Sequence, residues 1–334
     1  MKVALAVAAL LAFALAGCRH SNPPSSEEKP KPAPPGIAEI QIAFSSLKPA
    51  ATWKIGGRAD WVASAPDAVW VAGSKPNSVQ RIDPKTNKVV AAVPLPAEAC
   101  SGLAFAFDSL WVPLCSATPS MVRVDSRTNQ VIATLNIGPA GPEGGIAASA
   151  DSIWLVTDKD GTLVRIDPAT NEVRQKIRIA PGSFNPVFSD GAVWVSGFAA
   201  NVLTAVDAST GEIRASIPVG PQPRFLAAQA GSVWTLNQGD GTVSRVDAST
   251  RKLVATIQAG LPGEGGDIAC GAGSVWASLF ELPLTRIDPA TNKVIRQWKG
   301  PGGDSLRFAH NAIWLTDYHA GTLGRYPLGE LLKP

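Results

Sequence analysis

Residues 144–180 read GGIAASADSIWLVTDKDGTLVRIDPATNEVRQKIRIA, and they contain one complete structural repeat. Four runs of strand length, rich in Val and Ile, are separated by turn residues within this stretch. The second run contains Trp154, and the fourth alternates apolar with polar side chains, as an outer strand with one wet face does. The stretch therefore predicts a unit of four antiparallel strands.

Tryptophan recurs along the chain at the position that Trp154 occupies in this repeat. The seven tryptophans of the series are Trp70, Trp111, Trp154, Trp194, Trp234, Trp276 and Trp314. Successive members are 38 to 43 residues apart, and each lies in a short apolar run. A period near 40 residues with several short strands per unit is typical of a propeller blade. The chain is therefore predicted to be all-β, a seven-bladed β-propeller with four-stranded blades.

An aspartate ends the third run of six repeats and begins a turn. These residues are Asp83, Asp125, Asp167, Asp207, Asp247 and Asp288. Asp side chains bond to nearby backbone N–H groups in tight turns. We interpret the six aspartates as turn residues rather than as metal ligands or catalytic groups.

The last repeat lacks a fourth strand, because only seven residues follow Pro327. Residues 51–57, ATWKIGG, match fourth-strand endings such as SIPVG at 216–220. We expect a strand over residues 51–55 to complete the last blade and close the ring, which leaves no exposed sheet edge there. The propeller domain is assigned to residues 38–334.

The N-terminus has the pattern of a secretory signal. Lys2 precedes an apolar run, Val3–Leu15, which is too short to span a bilayer permanently. The following Leu-Ala-Gly-Cys resembles the bacterial lipobox, which implies a signal peptide at 1–17 and a lipid on Cys18. Residues 18–37 are Pro-rich and charged, so we assign them as a tether. We expect an extracytoplasmic protein held to the membrane by lipid alone, in the periplasm or outer membrane of a host with two membranes.

The net charge of the chain bears on the class of partner that it could bind. The formal net charge is +3 with no basic block, which argues against nucleic acid as a partner, and we expect a monomer.

Cys100 and Cys115 lie nearly opposite each other on a predicted hairpin, so an oxidising compartment favours a disulfide over two free thiols. Cys270, on a predicted inner strand, is interpreted as a small buried hydrophobe.

The loops at one mouth of the predicted channel, which we call the funnel, break the repeat with charged and aromatic residues. The predicted ligand-binding residues are Arg58, Asp60, Trp61, Asn185, Arg224, Phe225, Asn237, Arg307 and Tyr318. Paired donors and flat rings suit a small polar or anionic ligand, a peptide or a glycan. The alternative is that these are solvated loop residues with internal ion pairs.

Only one histidine falls in the funnel loops. His319 follows Asp317 there, and it is the candidate general base, whereas His310 is placed on the opposite face. Glu143, Glu264 and Asp267 are the candidate metal ligands, with Mg²⁺ or Ca²⁺ as the ion. The sequence establishes no cofactor.

Several stretches resemble a known repeat family. Residues 246–257, VDASTRKLVATI, and 211–220, GEIRASIPVG, resemble the YVTN-type propeller repeats of bacterial surface and periplasmic proteins. The wider group includes the streptogramin B lyases, whose blades carry Trp-Phe-Thr-Glu, and residues 314–317, WLTD, are the nearest match. That resemblance implies a metal-dependent elimination with a histidine base, for which His319 is the candidate. The leading hypothesis is ligand binding at the funnel; a lyase or hydrolase and an envelope scaffold are the alternatives.

Overall fold

Each repeat forms a twisted antiparallel sheet whose strands run from the channel outward in chain order. The computed structural model describes residues 36–332. The predicted signal peptide, Cys18 and most of the predicted tether lie outside the described residues. Seven such sheets surround the channel, so the predicted seven-bladed β-propeller is confirmed.

The strands of the blades have the following bounds. Blade 1 comprises Ala59–Ser64, Val69–Ser74, Asn77–Asp83 and Lys88–Pro94. Blade 2 comprises Ala104–Ala106, Ser109–Leu114, Ser120–Asp125 and Gln130–Leu135. Blade 3 comprises Ile146–Ala148, Ile153–Val156, Thr162–Ile166 and Val173–Arg178. Blade 4 comprises Ser183–Ser189, Ala192–Gly197, Val202–Asp207 and Ile213–Pro218.

The remaining blades include strands from the N-terminal part of the chain. Blade 5 comprises Pro223–Gln229, Ser232–Asn237, Thr242–Asp247 and Lys252–Gln258. Blade 6 comprises Asp267–Gly271, Ser274–Leu279, Leu282–Asp288, Lys293–Lys299 and the added strand Gln41–Ala43. Blade 7 comprises Leu306–Ala309, Ala312–Asp317, Thr322–Pro327 and Ala51–Lys54. Two 3-10 turns, Ala38–Ile40 and Phe44–Ser46, and one short helix, Leu328–Leu331, complete the described elements.

The ring closes as the sequence predicts. Ala51–Lys54 pairs antiparallel with the third strand of blade 7, so that Trp53 lies opposite Leu323. The Trp53 ring stacks on Trp314 with centroids 5.3 Å apart, and Ile55 is buried just beyond the strand. One chain end thus supplies the outer strand of the blade formed by the other end.

A second N-terminal contribution is absent from the sequence-based expectation. Gln41–Ala43 pairs in parallel with the outer strand of blade 6, next to Gln297. Gly36 donates a 2.7 Å backbone hydrogen bond to Gly260, and the N–H of Ile37 donates to Gln297 Oε1. The described chain therefore starts beside the funnel loop that leads into blade 6.

Each tryptophan of the series is fully buried in the second strand of its blade. In six blades an arginine of the third strand lies over the indole, at 4.7 Å for Arg123 on Trp111. The same guanidinium reaches the next blade: Arg123 Nη1 donates to Asn171 Oδ1 at 3.0 Å. Burial of the ring explains why tryptophan recurs, and bonds to the next blade, which Arg165, Arg245 and Arg325 also make, help to explain why arginine recurs.

The six repeating aspartates cap turns, as interpreted from the sequence. Asp247 Oδ1 accepts hydrogen bonds from the N–H groups of Ser249 and Thr250. These bonds hold the pKa of Asp247 at about 2.

The described residues, 36–332, include no helix with the length and apolar character of a membrane span.

Candidate functional site

A cavity of about 460 Å³ opens at the funnel, bounded by loops of blades 3 to 7. Its polar and aromatic lining consists of Glu143, Phe198, Gln222, Arg224, Gln238, Glu264, Phe280, Asp304, Tyr318 and His319. Ligand pockets usually measure about 300–1,000 Å³ and combine apolar walls with a few polar groups. Size and lining together make this cavity the candidate site.

Two carboxyl groups share a hydrogen bond at the cavity. Asp304 is 5% exposed, and its Oδ1 accepts the N–H of Gly266 at 3.1 Å. Its side chain also bonds to that of Asp60. Burial raises the pKa of Asp304 to about 8, and burial followed by the charge of Asp304 raises the pKa of Asp60 well above its usual range. Two carboxyl groups in such contact titrate as a pair, and the pair keeps at least one proton near neutral pH.

Asp267 is occupied by protein donors. This carboxylate is 3% exposed and accepts hydrogen bonds from the guanidinium of Arg307, the hydroxyl of Ser305 and the N–H groups of Leu306 and Ile268. The predicted ligand contact Arg307 is therefore held in an internal ion pair.

The predicted metal ligands do not converge. Within residues 36–332, no group of three His, Cys, Asp or Glu side chains is arranged to hold a metal ion. Glu264 is exposed, Glu143 is half-buried, and the oxygens of Asp267 already accept protein hydrogen bonds. The arrangement of Glu143, Glu264 and Asp267 expected from the sequence is not formed as a metal centre.

Arg224 is held between aromatic rings at the cavity. Its guanidinium carbon is 4.4 Å from the centroid of Phe184 and 5.5 Å from that of Phe198. Nη2 donates to the Pro142 carbonyl at 3.2 Å, and the buried Nε has no partner among the described residues. Burial lowers the Arg224 pKa, whereas the Glu143 and Glu264 carboxylates raise it.

The third predicted arginine, Arg58, is also held in an internal ion pair. Arg58 forms an ion pair with Glu98, and its guanidinium lies 5.5 Å from the centroid of Tyr318. The hydrogen bond that Arg58 donates to Glu98 raises the Arg58 pKa. Arg58 thus supports one wall of the cavity with its charge already balanced.

Three rings form that wall. The ring centroid of Phe280 lies 6.1 Å from that of Tyr318 and 5.1 Å from that of His319. The Tyr318 and His319 rings meet edge to face with centroids 5.4 Å apart. His319 is exposed, and the Asp317 carboxylate accepts the N–H of Ala320 at 2.9 Å. Asp317 therefore caps its own turn instead of orienting the imidazole. His310 lies on the opposite face, with Nε2 3.0 Å from the Ala65 carbonyl oxygen.

Four predicted contacts lie beneath the cavity surface. Trp61 and Phe225 are 3% and 2% exposed and pack together in the core. Asn185 donates to the Glu143 carbonyl at 3.2 Å, which supports the cavity loop from behind. Asn237 is fully buried, with its amide bonded to Thr242 and Ser244. Of the predicted set, Arg224 and Tyr318 line the cavity directly, and Asp60 bonds to Asp304, which does so.

Several lining residues are not among the predicted ligand contacts, although a sequence signal marks three of them, Phe198, Gln238 and Phe280. Phe198, Gln238, Phe280 and Tyr318 each stand four residues after the tryptophan of their blade. This position ends the second strand at the funnel, so its side chains face one another across the channel mouth. Aligning the repeats at this position groups Phe198, Gln238 and Phe280 with the predicted contact Tyr318.

The disulfide fixes two funnel loops. Cys100 and Cys115 are joined, with Cα atoms 5.5 Å apart, in agreement with the predicted pairing. The Cys100 carbonyl accepts the N–H of Glu143 at 2.9 Å, and the N–H of Cys115 donates to the Glu98 carbonyl at 3.2 Å. Cys270 is half-buried on its inner strand, and burial raises its pKa to about 12.

Comparison with known proteins identifies the architecture. No protein-family model and no curated protein matches the chain. BamB from Moraxella catarrhalis is similar in structure, with 14% identity and a TM-score of 0.58 over 82% of each chain. A streptogramin B lyase has 13% identity and a TM-score of 0.66 over 82% of this chain and 96% of the lyase. The likeness is one of fold.

Proposed function

We propose that this protein binds a small polar ligand in the funnel cavity. The observation that supports this most directly is the lining itself, which combines aromatic rings with charged groups around about 460 Å³. Arg224 and Glu264 face the cavity without a salt bridge among the described residues. Because neither side chain is fixed in a salt bridge, both are available to a ligand.

The lyase alternative has less support. A general base needs an orienting partner and a firm position. His319 contacts two rings on an exposed turn, and Asp317 is engaged by Ala320. The geometry therefore favours binding over elimination with His319 as the base.

The scaffold alternative would need an apolar patch on the loops. In the described chain, the exposed large hydrophobic side chains lie mainly on outer strands, such as Val89, Val90, Ile132 and Val254. The funnel loops are polar and aromatic instead, which favours a small ligand.

Loss of one wall ring should weaken binding roughly tenfold, since an aromatic contact contributes about 0.5–1.5 kcal/mol beyond its area. A thermal-shift screen of the full chain with sugars, organic acids, amines and short peptides would identify a stabilising ligand. Phe280→Ala should reduce its affinity, whereas Phe107→Ala, in a turn on the opposite face, should not. Absence of any stabilising compound, or an affinity unchanged in both Phe280→Ala and Tyr318→Ala, would contradict the proposal.

We further infer that the protein works outside the cytoplasm, anchored through Cys18. This rests on the signal-like residues 1–17 and the cysteine that follows them, which lie outside the described residues. Cys18→Ser should release the protein from membranes, because attachment without a lipid chain is weak. Labelling cells with a fatty acid checks this: wild type should be marked and Cys18→Ser should not, and an unmarked wild type contradicts the anchor.

A further inference from the structure

We propose that the ligand of the funnel cavity is an organic cation, a primary ammonium group on an apolar body, and that it displaces the proton shared by Asp60 and Asp304. This inference rests on the proposed function, because it names the ligand class of the same cavity. The ammonium group enters, one carboxylic acid becomes a carboxylate, and the proton leaves to water. No covalent bond to carbon changes.

The charge around the cavity favours a cation. Two of the three funnel arginines are neutralised by their own partners, Arg58 by Glu98 and Arg307 by Asp267. Arg224 alone then faces Glu143, Glu264 and the acid pair. The expectation of an anionic ligand counted all three arginines as available, and the tertiary structure removes two of them.

The acid pair has no protein cation to balance it. Among the described residues, neither Asp60 nor Asp304 takes part in a salt bridge, and Asp304 lines the cavity. The groups that act on the pair are themselves acidic: Glu143, Asp267 and Glu98, together with the Tyr318 phenol beside Asp60. An incoming ammonium group would supply the positive charge that the pair lacks. The carboxyl groups of Asp60 and Asp304 would accept its hydrogen bonds.

The aromatic wall supplies the second half of the recognition. Phe280, Tyr318 and His319 border the same cavity as Asp304. Ring faces attract cations, and they also cover the apolar body of an amine. The protein already uses this interaction at the rim, where Arg224 lies over Phe184 and Phe198. The presence of both carboxylates and rings in one lining distinguishes this cavity from a simple acidic cluster.

Proton displacement makes the affinity depend on pH. Because the pKa of Asp304 is about 8 and that of an alkylammonium is about 10, Asp304 stays protonated and the amine stays charged between about pH 6 and 7.5. Release of one proton per bound cation raises the affinity about tenfold per pH unit in that range. A ligand that binds without exchange would show no such slope.

Isothermal titration of the full chain with three probes tests the inference. Phenethylamine is the cation, 2-phenylethanol the neutral analogue and 3-phenylpropanoate the anion. We expect the amine to bind at least tenfold more tightly than either analogue and to release one proton on binding. Repeating the titration in buffers of different ionisation enthalpy measures the number of protons released. Asp304→Asn and Asp60→Asn should weaken the amine and remove the pH slope, whereas Asp160→Asn, on the same face outside the cavity, should change neither.

The outcomes separate the two proposals. Equal or tighter binding of the alcohol or the anion overturns the ligand class, and amine binding without proton release overturns the exchange. If no probe binds while the broader screen finds a ligand sensitive to Phe280→Ala, the amine is wrong and the binding function stands. If no ligand is found at all, both proposals fail. Should the Asn variants not fold, Glu264→Gln, an exposed side chain, must still weaken the amine selectively.

Discussion

Deletion of residues 38–57 is expected to abolish folding of the propeller. The deletion removes Ala51–Lys54, so the third strand of blade 7 becomes an unpaired edge. It also removes Trp53 from its stack on Trp314, and the added strand that pairs beside Gln297. Repeat proteins need their terminal units satisfied, and a ring satisfies them only by closing.

Circular dichroism during heating measures this effect. The control is deletion of residues 22–33, in the predicted tether outside the described residues, which should leave the unfolding temperature unchanged. Point variants refine the comparison. Trp53→Ala should lower the free energy of unfolding by about 2 kcal/mol, because the Trp53 ring is partly buried. Thr52→Ala, at the exposed neighbouring position, should change it by less than about 0.5 kcal/mol. Cooperative unfolding of the 38–57 deletion at the wild-type temperature would rule out the closure.

Raising the pH from 5 to 8 is expected to destabilise the ligand-free protein. The pKa of Asp304 is about 8 in the folded state, above its ordinary 3.8, so between these values the folded protein binds a proton that the unfolded chain releases. The contribution of Asp304 to stability is therefore highest at the acid end of this window and falls as the pH rises, by at most about 1.4 kcal/mol per pH unit. Above pH 8 this contribution levels off.

Asp304→Asn should remove most of that slope, because the amide has no proton to lose in the same place. Urea unfolding at pH 5, 6.5 and 8 measures it, with Asp160→Asn as the exposed control. A wild-type free energy of unfolding that is flat over this range, or an Asp304→Asn variant that keeps the slope, would contradict the shared proton. The stability lost at pH 8 is what a bound cation would restore.

Much of the fold was predictable because its signals lie within one repeat. Trp154 and Arg165 face each other across adjacent strands, and the turn that follows is capped by Asp167. Such contacts join residues close in sequence, and their recurrence marks each blade. The closing strand was also predictable, since residues 51–55 match a repeat position that the C-terminus lacks. The parallel strand Gln41–Ala43 carries no repeat signature and was missed.

The funnel was located from the sequence, but its free groups were not. Loops that break the repeat identify the mouth of the channel, and the position four residues after each tryptophan marks part of its wall. The charges depend on contacts between blades instead: Arg307 is 40 residues from Asp267 in the chain, and Asp60 meets Asp304 only because the ring closes. The sequence by itself thus determined seven blades, their turns and their closure, through local and repeated interactions. Only the tertiary structure decided which arginines remain unpaired and which carboxyl groups share a proton, because those depend on side chains that different blades bring together.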